Sequence, residues 1–135
     1  MNPYLKIEIS GPATNSSEWM EITPQEPLKP EREVNAVILI FATEYKPDYK
    51  ANGLRFPDGA VVVPEVQLID QDGKTFPMGI ESMGATGMGF GFFDPNSHLE
   101  SLPKDKIYPT VRIRSSQPIQ CSKIVWQGYN QRDRK

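Results

Sequence analysis

The chain has 135 residues, a single-domain length that can bury a core without metals or disulfides. Its 13 prolines and 10 glycines indicate many turns and few long helices, and its net charge of −2 argues against nucleic-acid binding. No apolar run approaches the roughly 20 residues of a membrane helix, so no membrane span is expected in this chain.

The single cysteine, Cys121, cannot form an intrachain disulfide, and the first ten residues lack the basic and apolar regions of a signal peptide. A strand pattern nevertheless begins at Tyr4, so a native leader or anchor could have preceded it. We expect an extracytoplasmic protein of the bacterial envelope if such a segment has been removed, and a cytoplasmic protein otherwise.

The first third of the chain reads as strands separated by loops. Alternating apolar residues predict a strand at residues 4–10, and a short strand anchored by Trp19 follows at residues 17–22. Three prolines predict an extended crossover at residues 23–33. Val34–Thr43 predicts a strand with two apolar faces, so the second face needs cover. A loop of the same chain and a homodimer through this region are both open.

Residues 44–59 (EYKPDYKANGLRFPDG) predict a long connection without a strand of its own. Tyr45, Tyr49 and Phe56 are interleaved with basic residues there, so they could stack on a sugar together with Trp19. The alternative is that these rings pin the loop to the rest of the fold.

Residues 61–78 predict a hairpin whose turn contains Asp70, Asp72 and Gly73, with the glycine supplying a positive φ. Asp70 and Asp72 are weak candidates for a calcium site. The EF-hand pattern fails because Thr75 occupies the position that requires glycine. We therefore expect no metal site and no cofactor.

In residues 87–92 glycines alternate with large apolar residues. This pattern predicts a strand whose glycine face is approached closely by a neighbouring backbone or ring, with a mobile flap as the alternative. Residues 95–102 predict one short helical turn, because Ser97 and Glu100 have capping-box spacing.

Residues 107–126 predict a hairpin of two strands, with a β-bulge near Ser122-Lys123 where the apolar alternation slips by one residue. The first strand is expected to project Tyr108, Arg112 and Arg114 together from its outer face. These residues are candidates for binding a partner by stacking and bidentate hydrogen bonds. The alternative is an ordinary polar face, with the arginines paired to acids on a neighbouring strand.

The charge of the chain is unevenly distributed, since residues 101–135 carry 8 basic and 2 acidic side chains. This bias predicts either a solvated strand pair followed by a basic tail at residues 131–135, or a surface for an anionic partner.

Catalytic side chains are scarce. His98 is the only histidine, and Cys121 faces the core in the predicted register. The least favoured function is therefore a small hydrolase using His98, and we do not expect an enzyme.

The pattern predicts an all-β fold, an antiparallel β-sandwich of about seven to eight strands at residues 4–130, immunoglobulin-like or jelly-roll-like. The layout resembles the immunoglobulin-like accessory modules of bacterial envelope proteins, without the Cys…Trp…Cys framework of true immunoglobulin domains. We expect a non-catalytic domain that binds a protein or an envelope component. The alternative is a carbohydrate-binding module that uses the loop aromatics Trp19, Tyr45 and Tyr49.

Overall fold

The computed structural model describes residues 4–96 and 98–129. These residues contain no helix, and so none that is long and apolar enough to cross a membrane. The basic tail predicted at residues 131–135 lies outside them. The twelve strands are β1 Tyr4–Ser10, β2 Ala13–Thr14, β3 Met20–Ile22, β4 Val34–Phe41, β5 Lys46–Asp48, β6 Gly53–Arg55, β7 Val61–Val62, β8 Glu65–Ile69, β9 Thr75–Gly84, β10 Gly87–Gly91, β11 Thr110–Arg114 and β12 Gln120–Tyr129.

Eight strands follow one antiparallel order, β1-β12-β4-β10-β9-β8-β11-β3, and β2 pairs with the start of β12. The ten-residue β9 belongs to both halves of this order, because it pairs with β8 up to Met78 and with β10 from Gly79 onward. The strands therefore form two layers joined by β9. This is the all-β, antiparallel sandwich or barrel class that the sequence predicts.

The core lies between the two layers. Leu39 of β4 and Trp126 of β12 face it from the first layer, and Leu68 of β8 and Ile113 of β11 face it from the second. All four side chains are 0% exposed. Complete burial of an aliphatic side chain contributes roughly 1.5–3 kcal/mol, so this alternation accounts for the pairing of the layers.

The hairpin expected at residues 107–126 is wrong as a pairing, although both of its strands exist. β11 pairs with β8 and β3 in one layer, while β12 pairs with β1 and β4 in the other. The connection crosses between layers because it is held at Asn15, whose Oδ1 accepts the backbone N–H of Ile119 at 2.8 Å. The predicted bulge in β12 is confirmed by a register shift between Cys121 and Lys123.

The second apolar face of β4 is covered at one end by the same chain, which confirms one of the two expectations for this strand. Val34 and Ala36 are each 2% exposed. Gly91 of β10 stands opposite Ala36, and a Cβ atom on Gly91 would lie 2.7 Å from Cδ1 of Leu99. The segment that carries Leu99 therefore lies over this end of the sheet.

The glycines of β10 mark close approaches, as the sequence predicts. A Cβ atom on Gly87 would lie 2.7 Å from the carbonyl oxygen of Leu39, and one on Gly89 would lie 2.6 Å from Oγ of Ser82. Both positions are paired within β10, so this run is a strand between β4 and β9 and not a flap.

The helical turn expected near residues 95–102 is wrong for the described residues. Phe93 and Leu99 form an isolated antiparallel bridge, and Oδ1 of Asp94 accepts the backbone N–H groups of Asn96 and His98 at 2.8 and 2.9 Å. The carboxylate supplies acceptors that a helix would have supplied from its own backbone, which favours an open turn. Ser97, the other half of the expected capping box, lies outside the described residues.

Candidate functional site

Three of the predicted site residues, Arg112, Arg114 and Trp19, lie on one surface. This surface is the outward side of β8, β11 and β3, which we call the outer face. Arg112 stands opposite Glu21 of β3, and the two side chains approach to 2.9 Å. Arg114 stands opposite Glu65 of β8, and its Nε donates to Oε2 of Glu65 at 2.7 Å. Each arginine thus has an acid on a neighbouring strand, as one of the two sequence interpretations holds.

Trp19 lies beside these two arginine–glutamate pairs, one residue before β3 begins. The guanidinium carbon of Arg114 is 4.2 Å from the centroid of the Trp19 ring, a cation–π distance. The ring is half-buried. One of its faces is therefore held in place by Arg114, which limits the rotamers that the exposed part can adopt.

Trp19 also lines a cleft of about 280 Å³, which we call the Trp19 cleft. The cleft lies where β9 leaves the second layer for the first, so the separation of the layers exposes part of their inner margin. Its lining is Trp19, Asn52, Val63, Pro64, Glu65, Val66, Gln67, Pro77, Met78, Gly79, Ile80 and Phe90.

The Trp19 cleft is lined by both apolar and polar residues. Val63 is 41% exposed there and supplies apolar contact area. Asn52 and Gln67 also line the cleft, and their side chains form no hydrogen bond within residues 4–96 and 98–129, so their amide groups are uncommitted. Asn52 has a positive φ of 57°, a conformation that asparagine tolerates better than most residues. Aromatic, apolar and amide groups together suit a small recognition site.

Tyr45 is structural. Its ring stacks on Phe56 with centroids 5.4 Å apart and meets the edge of Phe41 at 5.0 Å, while its hydroxyl accepts the backbone N–H of Gln120 at 2.9 Å. These contacts agree with the structural alternative, in which the aromatic residues of the 44–59 connection fix it to the rest of the fold. The connection also has strands, since β5, β6 and β7 form a small sheet of their own, contrary to the sequence expectation.

Tyr49 is the most exposed of the predicted aromatic residues. It lies in the turn between β5 and β6, and 69% of its surface is accessible. Its hydroxyl donates to the carbonyl oxygen of Met83 at 3.3 Å. Tyr49 does not line the Trp19 cleft, although Asn52 of the same turn does.

The predicted outward position of Tyr108 is wrong. The residue is 0% exposed, its ring meets Phe76 edge-on at 5.4 Å, and burial raises its pKa to about 12. Pro109 interrupts the alternation before β11 begins at Thr110, so Tyr108 turns inward together with Val111. Tyr108 belongs to the core and is no longer a binding candidate.

The acids of the 70–73 turn act as structural caps. Oδ1 of Asp70 accepts the backbone N–H groups of Asp72 and Lys74 at 2.9 and 2.8 Å, and Gly73 has the positive φ that the sequence predicts. Asp72 forms a salt bridge with Lys106 at 2.8 Å. Among the residues that the structure describes, no three His, Cys, Asp or Glu side chains are grouped to hold a metal ion.

His98 and Cys121 have different environments. The His98 side chain is 78% exposed, with Nδ1 3.6 Å from Oδ2 of Asp94, and the backbone N–H of His98 is the main cause of the lowered pKa of Asp94. Cys121 is buried, and its burial raises the pKa of the thiol to about 11. A thiol in that state is protonated near neutral pH and is a poor nucleophile.

Sequence reasoning missed Asn52, Val63 and Gln67. These three residues meet only because the small sheet, the entry to β8 and β8 itself lie around one cleft. The Asn52-Gly53 dipeptide is a turn signal and could have located one of them, but nothing in the local pattern of Val63 or Gln67 points to a cleft.

In comparisons with known proteins, no protein family matches the chain, and no curated protein has significant sequence similarity to it.

Proposed function

We propose that this chain is a non-catalytic binding domain that recognises its ligand at the Trp19 cleft. One observation carries the proposal: a tryptophan ring fixed by Arg114 borders a cleft that also contains uncommitted amides at Asn52 and Gln67. Aromatic and arginine anchors in a partly desolvated site supply much of the binding energy at protein interfaces. The exposed His98 and the buried Cys121 thiol support the non-catalytic part of the proposal.

The favoured ligand is an extended segment of a protein partner. Two exposed residues of the cleft, Val63 and Pro77, offer apolar contacts to side chains. The amides of Asn52 and Gln67 offer both donors and acceptors to a peptide backbone. A cleft of this size accepts a few residues, which fits a transient interaction more than a permanent one.

A carbohydrate-binding module is the second candidate, and Tyr49 favours it. The 69% exposed ring of Tyr49 belongs to the same turn as Asn52, a lining residue of the cleft. Together with Trp19 it could provide two stacking platforms for a glycan, with amides for its hydroxyl groups. In this form of the proposal Trp19 and Tyr49 both contact the sugar, while Tyr45 keeps its structural role.

A peptide-display library and a glycan array, both screened with the wild-type chain and with Trp19→Ala, test the proposal. We expect binders from one class only, with affinity reduced at least about tenfold in Trp19→Ala. Tyr49→Ala should weaken glycan binders and leave peptide binders unchanged. Lys123→Ala, an exposed change on β12 outside the cleft, is the matched control. Equal binding by the wild type and Trp19→Ala, or no binder in either screen, would reject the cleft as the site.

We propose the bacterial envelope as the compartment. The β-sandwich class hosts many recognition modules, which is an argument from fold alone. Fractionation of cells that express the native gene would test it, and recovery of the product only in the cytosol would contradict it.

A homodimer through the Val34–Thr43 region, the second expectation from the sequence, is an alternative contact between copies. Its surface is smaller than the sequence suggests, because Val34 and Ala36 are covered and only Ile38 and Ile40 remain half-buried on the outward side of β4. Light scattering of Ile38→Lys against the wild type would test this contact.

A further inference from the structure

We propose that a second copy of this chain pairs with β1, forming a symmetric antiparallel homodimer along the edge of the first layer. β1 is an end strand of the sheet order and is hydrogen-bonded to β12 along one edge. Among the described strands none pairs with its other edge. An edge strand of seven residues presents backbone N–H and C=O groups that can pair with another chain.

The middle of β1 carries an exposed apolar side chain. Ile7 is 43% exposed, although it stands opposite Trp126, which is 0% exposed. Ile7 therefore lies at the margin of the core where the sheet ends. Pairing with a second strand would bury the exposed part of this side chain, which is the main apolar gain of the contact.

The charges of β1 are complementary to those of its own antiparallel copy. Lys6 and Glu8 flank Ile7, are exposed, and form no salt bridge within residues 4–96 and 98–129. If Ile7 faces Ile7 of the second copy, Lys6 faces Glu8 of the second copy and Glu8 faces Lys6. Opposite charges placed directly across a strand pair stabilise it.

The same charges select one register. A pair centred on Lys6 would place two lysines opposite each other, and a pair centred on Glu8 would place two glutamates opposite each other. Like charges in these positions destabilise a strand pair. Register is poorly fixed in edge strands without such a pattern, so Lys6 and Glu8 specify the alignment centred on Ile7.

β1 is a better dimer surface than β4. Both edges of β4 are occupied, by β12 and β10, so only its half-covered outward side is available. In the β1 dimer the first layers of both copies, each with β1, β12, β4, β10 and part of β9, join into one continuous sheet. Such an isologous contact closes with two-fold symmetry and uses the β1 edge of both copies, so no further copy can add at β1. The interface is small, so the dimer is expected to be weak.

Sedimentation equilibrium of the full chain over a range of concentrations tests the proposal. The wild type is expected to form dimers, and Lys6→Glu and Glu8→Lys are each expected to raise the dissociation constant at least about tenfold, because like charges then face each other. The double variant Lys6→Glu/Glu8→Lys restores the opposite-charge pairs and should return to within about threefold of the wild type. Lys123→Glu, an exposed charge reversal on β12, is the matched control.

A monomeric wild type at every concentration overturns the proposal. So does a double variant that associates no better than the single variants, since only the β1 register predicts its rescue. Weakening by Ile38→Lys without any effect of the β1 charges would assign the dimer to β4 instead. Thermal unfolding of each variant excludes loss of the fold as the cause. If a charge variant is unfolded, Ile7→Thr, which keeps a β-branched residue in the strand, takes its place and is expected to abolish the dimer.

Discussion

The guanidinium carbon of Arg114 lies 4.2 Å from the centroid of the Trp19 ring while Nε of the same side chain donates to Glu65 at 2.7 Å. The carboxylate positions the arginine, and the arginine covers one face of the ring. Glu65 and Arg114, which lie on different strands, thus hold the half-buried tryptophan in a defined orientation beside its cleft.

Replacement of Arg114 by alanine should release this ring. We expect a loss of about 0.5–1 kcal/mol in the free energy of unfolding, because an exposed cation–π contact and an exposed ion pair are both lost. Acrylamide quenching of tryptophan fluorescence should increase, since Trp126 is buried and only Trp19 responds. Arg114→Lys keeps the charge without the planar guanidinium group, so its stability and its quenching should lie between those of the wild type and Arg114→Ala. Unchanged quenching in Arg114→Ala would show that other contacts hold the ring.

Asn15 should contribute strongly to stability for its size. The residue is 2% exposed, and its Oδ1 accepts the hydroxyl of Ser115 and the backbone N–H of Ile119, each at 2.8 Å. Asn15→Ala leaves the buried backbone N–H of Ile119 without an acceptor, whereas the Ser115 hydroxyl can still donate to the carbonyl oxygen of Gln117. We therefore expect a loss of about 1–3 kcal/mol in the free energy of urea unfolding. Ser17→Ala, an exposed change two residues away, serves as the control and should lie within about 0.5 kcal/mol of the wild type.

Gly91 and Leu99 should be energetically coupled. A Cβ atom at Gly91 would lie 2.7 Å from Cδ1 of Leu99, the end of a half-buried side chain that can shift, so Gly91→Ala is expected to cost about 1 kcal/mol by overpacking. In a Leu99→Ala background the same change should cost less, because the obstructing methyl group is gone. Gly84→Ala has no atom within 4 Å of the added Cβ and is the matched control. Equal costs of Gly91→Ala in both backgrounds would contradict the contact.

Stability should fall in alkaline solution because of Tyr108. Burial raises its pKa from 10.0 to about 12, so the folded state keeps a proton that the unfolded state releases. The stabilisation is complete below pH 10.0 and is lost as the pH rises toward about 12. Urea unfolding between these values should show a decline that Tyr108→Phe reduces. A variant with the same pH dependence as the wild type would exclude Tyr108 as the cause.

The Cys121 thiol should be unreactive in the folded protein. It is 4% exposed and its pKa is raised by burial to about 11, so at pH 8 both access and thiolate are lacking. Iodoacetamide labelling followed by mass spectrometry should show little modification without urea and complete modification with it. In a Cys121→Ala background, Ser122→Cys places a thiol at the exposed neighbouring position and should react in the folded state. Rapid labelling of the native wild type would indicate local opening of β12.

Local patterns predicted the strands better than their partners. The alternation of residues 4–10 and the slip at Lys123 were both visible in the sequence, because each depends on neighbouring residues only. The pairing of β11 with β8 and β3 was not visible in the sequence. A short turn after β11 is compatible with a hairpin to β12 and also with a crossing to the other layer. The crossing is held by a buried hydrogen bond that Ser115 donates to Oδ1 of Asn15, 100 residues away in the chain.

The sequence also predicted only part of the candidate site, namely the part that depends on local patterns. The acids opposite Arg112 and Arg114 follow from ordinary cross-strand pairing, which makes the paired alternative easy to anticipate. The inward rotation of Tyr108 depends on how Pro109 interrupts one strand, and the cleft depends on three segments meeting in space. Neither can be read from periodicity.

The ten-residue strand β9, which both layers share, determines how the domain unfolds. Because one strand is hydrogen-bonded to β8 by its first half and to β10 by its second, neither layer can open without freeing an edge of the other. Amide protons in the middle of both sheets should therefore exchange with solvent through a single global opening. The two layers behave as one cooperative unit.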